Sequence, residues 1–433
     1  MIVKNYIKIL SFAALLFSSA PLSAQTILDD PEDDEEEVDS LFVPIEDEIS
    51  VRDKQGNEEL IEFPEAMTFN LDSLLELYMT KTYLSKGDCE MKDENPTYTP
   101  EEYIERLRRM PTVMEMAYND IVQRFIDRYM GRLRHSVSLM LGAANFYMPI
   151  FEEALEAYQV PLELKYLPVI ESALNPKAVS RVGATGLWQF MLTTGKQYGL
   201  EVNSLVDERR DPVKASYAAA RYLRDLYRVF GDWNLVIAAY NCGPGNINKA
   251  IHRAGGEKDY WQLYPYLPAE TRGYVPAFIA ANYAMTYYCE HNICPMNTRL
   301  PLQTDTVVVD RDVHLQQVAA VLDIDIEMLR SLNPEYRRDI VPGANKKHAI
   351  RLPMADATRF IDLQDSIYSY RADELLTKRA VAEVNDDQPT YRSKKNVRRG
   401  RTTARRARNA RRGRSAVAKR HSKGRTSKKR RRR

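Results

Sequence analysis

From Ile121 to about Tyr288 the apolar residues recur at helical rather than strand spacing, and that period decides the fold class. Ile121, Val122, Phe125, Ile126 and Tyr129 share one face, with charged Arg124, Asp127 and Arg128 between them, the pattern of a helix that turns one side to a core. Pro161, Pro168, Pro176, Gly231 and the "NCGPG" turn at Asn241 to Gly245 punctuate this region, marking where one helix stops and the next begins. Alternating apolar and polar runs are scarce here, so the block is expected to be mainly α. Past Pro301 the texture changes. "DTVVVD" from Asp305 suggests a strand, "LQQVAAVL" from Leu315 a helix and "AIRLP" from Ala349 a second strand, together a small α/β module.

The two ends cannot join either core. Arg392 to Arg433 holds 22 Lys and Arg and no Asp or Glu, a composition expected to stay disordered. The remainder carries 40 basic against 60 acidic residues, so the near-neutral total of +2 describes neither part. At the other end two lysines, an apolar run from Ile9 to Phe17 and small residues before Ala24 read as a secretory signal peptide over 1–24. The run is too short to cross a bilayer; an uncleaved anchor, with membrane association, is the alternative. Asp29 to Glu48 contains no base, and like-charge repulsion keeps such a stretch extended. The expected organisation is a signal peptide (1–24), an acidic linker (25–98), a helical domain (99–298), the small module (304–354), a linker (355–391) and the basic tail (392–433).

Four cysteines are too few for a disulfide scaffold in 433 residues. In an exported chain Cys289 and Cys294 are placed to bridge; buried thiols are the alternative. Neither the cysteines nor the six histidines form a spaced metal-ligand set, and no cofactor is expected.

One carboxylate stands out. Glu171 follows Leu167, Pro168, Val169 and Ile170, and an acid beside apolar groups loses hydration of its charged form, which raises its pKa and keeps it protonated near neutral pH. Such an acid can protonate a leaving oxygen; an exposed helix-terminal glutamate is the plainer alternative. Downstream, "GATGLWQF" supplies Gly183 and Gly186 for close backbone approach, with Trp188 and Gln189 to pack and hydrogen-bond a polar ring. "AAYNCGPG" places Tyr240 and Asn241 before a turn, and "LPAETRGYVP" groups Glu270, Arg272 and Tyr274. Glu270 is expected to pair with Arg272, with binding of sugar hydroxyls as the alternative.

Taken in order, "ESALNPKAVS", "GATGLWQFM", "AAYNCGPG" and "ETRGYVP" over Pro161 to Tyr288 (the motif core 161–288) resemble the lytic murein transglycosylases of the membrane-bound D type. The resemblance implies a lysozyme-like helical domain with a glycan groove and Glu171 as the catalytic carboxylate, acting as acid and then as base. It further implies substrate contacts from Ser180, Gln189, Met191, Tyr240, Asn241 and Tyr274. Two positions depart from the family pattern: Leu192 stands where proline is usual, and Cys242 where a small residue is usual.

The module resembles a LysM domain, with "LQQVAAVLDIDIEMLRSLNP" as its helix-turn-helix and "DRDVHL" in place of the usual Gly-Asp-Thr turn. The expected partner is peptidoglycan in the periplasm or cell envelope. The tail can release counterions from any polyanion but has no aromatic residues for base recognition, so anionic envelope polymers are its expected partners rather than nucleic acid. A goose-type lysozyme, using a second carboxylate among Asp207, Glu208 and Glu270, and a non-catalytic wall-binding protein are the competing expectations.

Overall fold

The computed structural model describes residues 48–52, 58–68, 84–85, 91–92, 94–298, 300–301, 303–378, 380–382 and 384. The signal-peptide reading, most of the acidic segment and the basic tail lie outside the described residues.

Two strands, β1 (Glu48–Arg52) and β2 (Glu58–Glu62), pair antiparallel, and a second small pair joins β3 (Leu84–Ser85) to β4 (Asn297–Thr298). The main block is helical, as expected: α1 (Pro100–Arg109), α2 (Asp120–Met130), α3 (Arg134–Ala157), α4 (Leu167–Ser172), α5 (Leu192–Gln197), α6 (Pro212–Phe230), α7 (Trp233–Cys242), α8 (Pro244–Arg253), α9 (Tyr260–Leu263), α10 (Ala269–Arg272) and α11 (Tyr274–Thr286). Their starts follow from local chemistry. Thr99 and Glu102 close a capping box on α1, and Asn119, Asp211 and Asp232 accept from the first free amides of α2, α6 and α7, satisfying donors that have no partner inside the helix.

Helix α11 is apolar nearly all round and buried from Tyr274 to Met285, so it can only be a central element. It packs on α2 and α7, while α3 lies along α6. The periodic residues Val122, Phe125, Ile126 and Tyr129 all enter this core. So do Ile61, Phe63 and Met67, which corrects the linker expected over 25–98: at least this part of it is folded onto the helical domain. The contact is close at Gly273, where an added Cβ would stand 2.4 Å from the Glu62 carbonyl oxygen.

The module is built from β5 (Thr304–Val309) paired with β8 (His348–Pro353), and β6 (Asp312–His314) paired with β7 (Ile340–Pro342), all antiparallel. Helices α12 (Leu315–Leu322) and α13 (Ile326–Leu332) lie between the pairs in sequence. Along β8 the side chains alternate between buried and half-buried, so the sheet presents one face to the core. Asn333 fixes the end of α13. Its side-chain N–H groups donate to the carbonyls of Leu329 and Arg351, and its oxygen accepts from Arg351 N.

The linker expected over 355–391 also needs correction. Helices α14 (Met354–Asp362) and α15 (Gln364–Ser369) place Ala357, Phe360 and Ile367 in the module core, since their spacing puts apolar groups on one face. Cysteine pairing differs as well: Cys294 is disulfide-bonded, but Cys289 is a free, exposed thiol and Cys242 is also free. The Cys289–Cys294 bridge is therefore not formed.

Candidate active site

Glu171 sits in the last turn of α4, a helix that Pro168 opens and whose other residues, Leu167 to Ile170 and Ser172, are buried. The helix cannot continue because Ala173 and Leu174 both take left-handed backbone angles (φ 49° and 63°). Each such residue costs on the order of 1 kcal/mol for a side chain bearing a Cβ, and burial of Ala173 and Leu174 at 1% exposure or less helps to offset it. Glu171 thus ends a rigid helix beside a forced turn.

Three groups position this carboxyl and its surroundings. The hydroxyl of Tyr274, at the start of α11, donates to Glu171 Oε1. Ser172 Oγ donates to the carbonyls of Pro168 (3.1 Å) and Leu187 (3.0 Å), tying α4 to the following loop. Tyr240 Oη donates to the carbonyl of Trp188 at 2.8 Å. Burial and the nearby Glu171 carboxylate both push the Tyr274 and Tyr240 hydroxyls well above their ordinary pKa, so both remain protonated and able to donate.

The loop that carries "GATGLWQFM" folds on itself through bridges of Thr185 with Val179 and with Phe190. Gly186 is obligatory there. It has φ +88°, and a Cβ would lie 1.8 Å from the Arg209 carbonyl oxygen. Gln189 also has positive φ (47°), and its amide donates to the carbonyls of Gly186 (2.8 Å) and Ala178 (3.3 Å). Ser180 Oγ accepts from Ala184 N, and Met191 is 45% exposed at the loop's end. Asn241 Oδ1 accepts from Thr271 Oγ1 at 2.9 Å, linking α7 to α10. The structure therefore joins Glu171 directly to Tyr274, sets Tyr240 against the Trp188 carbonyl, and makes Ser180 and Gln189 part of the loop's own bonding.

Two expectations change. Trp188 is fully buried, donates through Nε1 to Ser216 Oγ at 2.9 Å and meets Phe151 edge-on, so its ring is a core anchor and not a platform for a sugar. Glu270 is pushed up by loss of hydration and by the Glu62 carboxylate, whereas Arg272 donates to the carbonyls of Leu267 and Pro265; an ion pair between them does not set the Glu270 carboxyl. Ser172, Thr271 and Arg209 were not anticipated. Ser172 directly follows the acid and Arg209 lies in the charged "DERRDP" run, yet the contacts that tie them to the loop, with Leu187 for Ser172 and with Gly183 and Phe190 for Arg209, lie 15 to 26 residues away.

Asp207, fully buried, illustrates the point. Burial alone would raise its carboxyl, but Arg209 and Arg337 hold it below the ordinary range. Arg209 Nε and Nη2 each donate to one Asp207 oxygen at 2.9 Å. Its Nη1 donates to the carbonyls of Gly183 and Phe190, both at 3.2 Å.

A family model described as the Transglycosylase SLT domain matches residues 148–263, and one described as the Lytic transglycosylase MltD, LysM-like domain matches residues 303–369. The membrane-bound lytic murein transglycosylase D of Escherichia coli (strain K12) is 30% identical over 265 residues, covering 59% of this chain and 56% of that protein. The soluble lytic murein transglycosylase of the same strain is 34% identical over 124 residues, 27% of this chain and 19% of the relative. The chain thus spans about half the length of the first of these relatives, and less of the second. Among solved structures, the 70 kDa soluble lytic transglycosylase of Escherichia coli is 29% identical, with a TM-score of 0.30 over 35% of this chain and 26% of that one. The chain carries an SLT domain over 148–263, followed by a LysM-like domain of the lytic transglycosylase D type over 303–369.

Proposed function

We propose that the protein is an exported peptidoglycan lytic transglycosylase that cleaves the bond between N-acetylmuramic acid and N-acetylglucosamine without consuming water. The observation that carries this reading is a single carboxyl, Glu171, gripped on one oxygen by the buried Tyr274 hydroxyl. That bond holds the carboxyl at the end of α4. Glu171 protonates the glycosidic oxygen as the bond to the muramic acid C1 breaks, and the substrate's own 2-acetamido group stabilises the positive charge at C1. Glu171 then accepts the proton of the C6 hydroxyl as that oxygen bonds to C1, closing a 1,6-anhydro ring and restoring the acid. The proton given equals the proton taken, so no cofactor enters.

A hydrolase of the goose-lysozyme kind needs a second carboxylate to place a water. Asp207 is fully buried between arginines, and Glu208, 5% exposed, pairs with Lys214, so neither is free to do so; Glu270 is the exposed member of the three, and analysis of the released products decides whether it places a water. Ser180, Gln189, Met191, Tyr240 and Asn241 line the proposed glycan contacts, and the LysM-like domain adds a second contact with the wall. Export rests on the 1–24 reading; among the described residues no helix is long and apolar enough to cross a membrane. In the envelope the polycationic tail would hold anionic polymers.

The test is mass spectrometry of products released from purified sacculi by the mature protein. Products lighter by one water than hydrolysis products, bearing 1,6-anhydro ends, support the reading. Reducing ends would replace it with hydrolysis, and no release would leave a wall-binding role.

A further inference from the structure

The segment Leu205 to Asp207 belongs by sequence to the helical domain but by packing to the module. Leu205 and Val206 are buried in the module core with Val313, Leu315 and Ile350. Their backbone is zipped to the module: Asp207 N donates to Glu335 O (2.9 Å), Arg337 N donates to Leu205 O (2.7 Å), and Val206 bridges Tyr336. Arg337 also donates to Asp207 Oδ2. The same Asp207 holds Arg209, whose remaining nitrogen grips both ends of the Gly183 to Phe190 loop.

We propose that the LysM-like module braces the glycan-contacting loop, with Arg337 as a positioning residue that acts through Asp207 and Arg209 on Gly183 to Phe190. The chain of contacts is short. A fully buried carboxylate must be compensated on both oxygens. Asp207 meets that need with Arg209 on both oxygens, Arg210 at 4.0 Å from Oδ2, and Arg337 from the module as a second close donor to Oδ2. Loss of Arg337 removes one of the two close charge-assisted bonds to Oδ2 and with it the side-chain tie that anchors the Asp207–Arg209 pair to the module, so the pair shifts more freely. Arg209 then holds the Gly183 and Phe190 carbonyls less firmly, and the loop opens more often. The module would thus serve the reaction in addition to any glycan contact of its own.

This inference rests on the transglycosylase reading for its kinetic arm alone. The experiment uses the full mature chain as wild type, Arg337→Gln and Arg337→Lys, with hydrogen exchange followed by mass spectrometry and with initial rates on sacculi. In Arg337→Gln, exchange of peptides covering 180–190 should rise about tenfold while α3 stays protected, since local opening is read by exchange apart from global unfolding. KM for sacculi should rise about fivefold with kcat within about twofold, because the loop holds proposed substrate contacts but not Glu171. Arg337→Lys should restore both in part. Unchanged exchange at 180–190, with faster exchange confined to 203–210 and 333–340, would overturn the brace and leave a domain joint. Should the wild type release no product, the transglycosylase reading falls, and exchange at 180–190 still decides the brace.

Discussion

The Tyr274 hydroxyl, on a side chain only 2% exposed, donates to Oε1 of Glu171. A buried donor on one oxygen restrains how the carboxyl can turn, which in the proposed reaction would keep it aimed through both proton transfers. Tyr274→Phe removes that bond and little else. We expect kcat to fall about 10- to 100-fold, the worth of one hydrogen bond to a charged group, with KM nearly unchanged. Initial rates of product release on sacculi check this; a raised KM with normal kcat would instead make Tyr274 a sugar contact.

Glu171→Gln keeps the shape of the side chain and its capacity to accept from Tyr274, but removes the proton. Turnover should drop by at least about a thousandfold, toward the upper range for general acid–base catalysis. The melting temperature should move by no more than about 2 °C, as for a change that opens no cavity. Retained turnover in a variant verified by mass would end the single-acid assignment.

What the sequence disclosed about the site and what it concealed divide along physical lines. The apolar company of Glu171 is local, so its candidacy could be read from "PVIE" directly. Helical period is also local, and the elements from α2 to α11 follow it. Trp188 misled because a tryptophan beside glutamine in a glycine-flanked loop has the composition of a sugar platform, while its burial is decided by Phe151 and Ser216 on other helices. Arg209 and Arg337 were illegible for the same reason: their meaning depends on a shared carboxylate in a fold that joins two domains. The helices α14 and α15 read as linker because their short apolar stripe has no evident partner until β5 and β8, against α14, and α12 and β6, against α15, are in place.

Trp188 gives a prediction that separates its two roles. Trp188→Phe keeps a buried ring but loses the bond to Ser216 and part of the volume against Phe151. The expected loss is about 2–3 kcal/mol of stability, from one net hydrogen bond and an incompletely filled site. Chemical denaturation of the full chain measures it. If the ring were instead a sugar platform, stability would be unchanged and glycan affinity alone would fall.

Glu335 carries the prediction about pH. It is 6% exposed, and Oε2 has no hydrogen-bond partner among the described residues. Burial, then the Asp211 carboxylate, raise its pKa well above the ordinary glutamate value, against the pull of Lys214 and Arg351. Glu208 faces the same cluster through its pairing with Lys214. Because the folded pKa lies above the unfolded one, the stability Glu335 contributes is fully present below the unfolded pKa and is lost as pH rises through the folded value. Asp211, also raised by burial, pulls in the same direction. Asp207, held low by its arginines, acts oppositely: its contribution is present above the unfolded aspartate pKa and is lost as pH falls through the folded one. Glu335→Gln removes Glu335's share of the loss at high pH and leaves the acid one set by Asp207. The melting temperature of the variant should therefore exceed that of the wild type by a margin that widens from pH 5 to pH 9, by about 2–4 °C for each kcal/mol of penalty relieved. A margin that is constant across this range would mean that Glu335 stays in one protonation state throughout, and that its cluster does not tune the joint between the two domains.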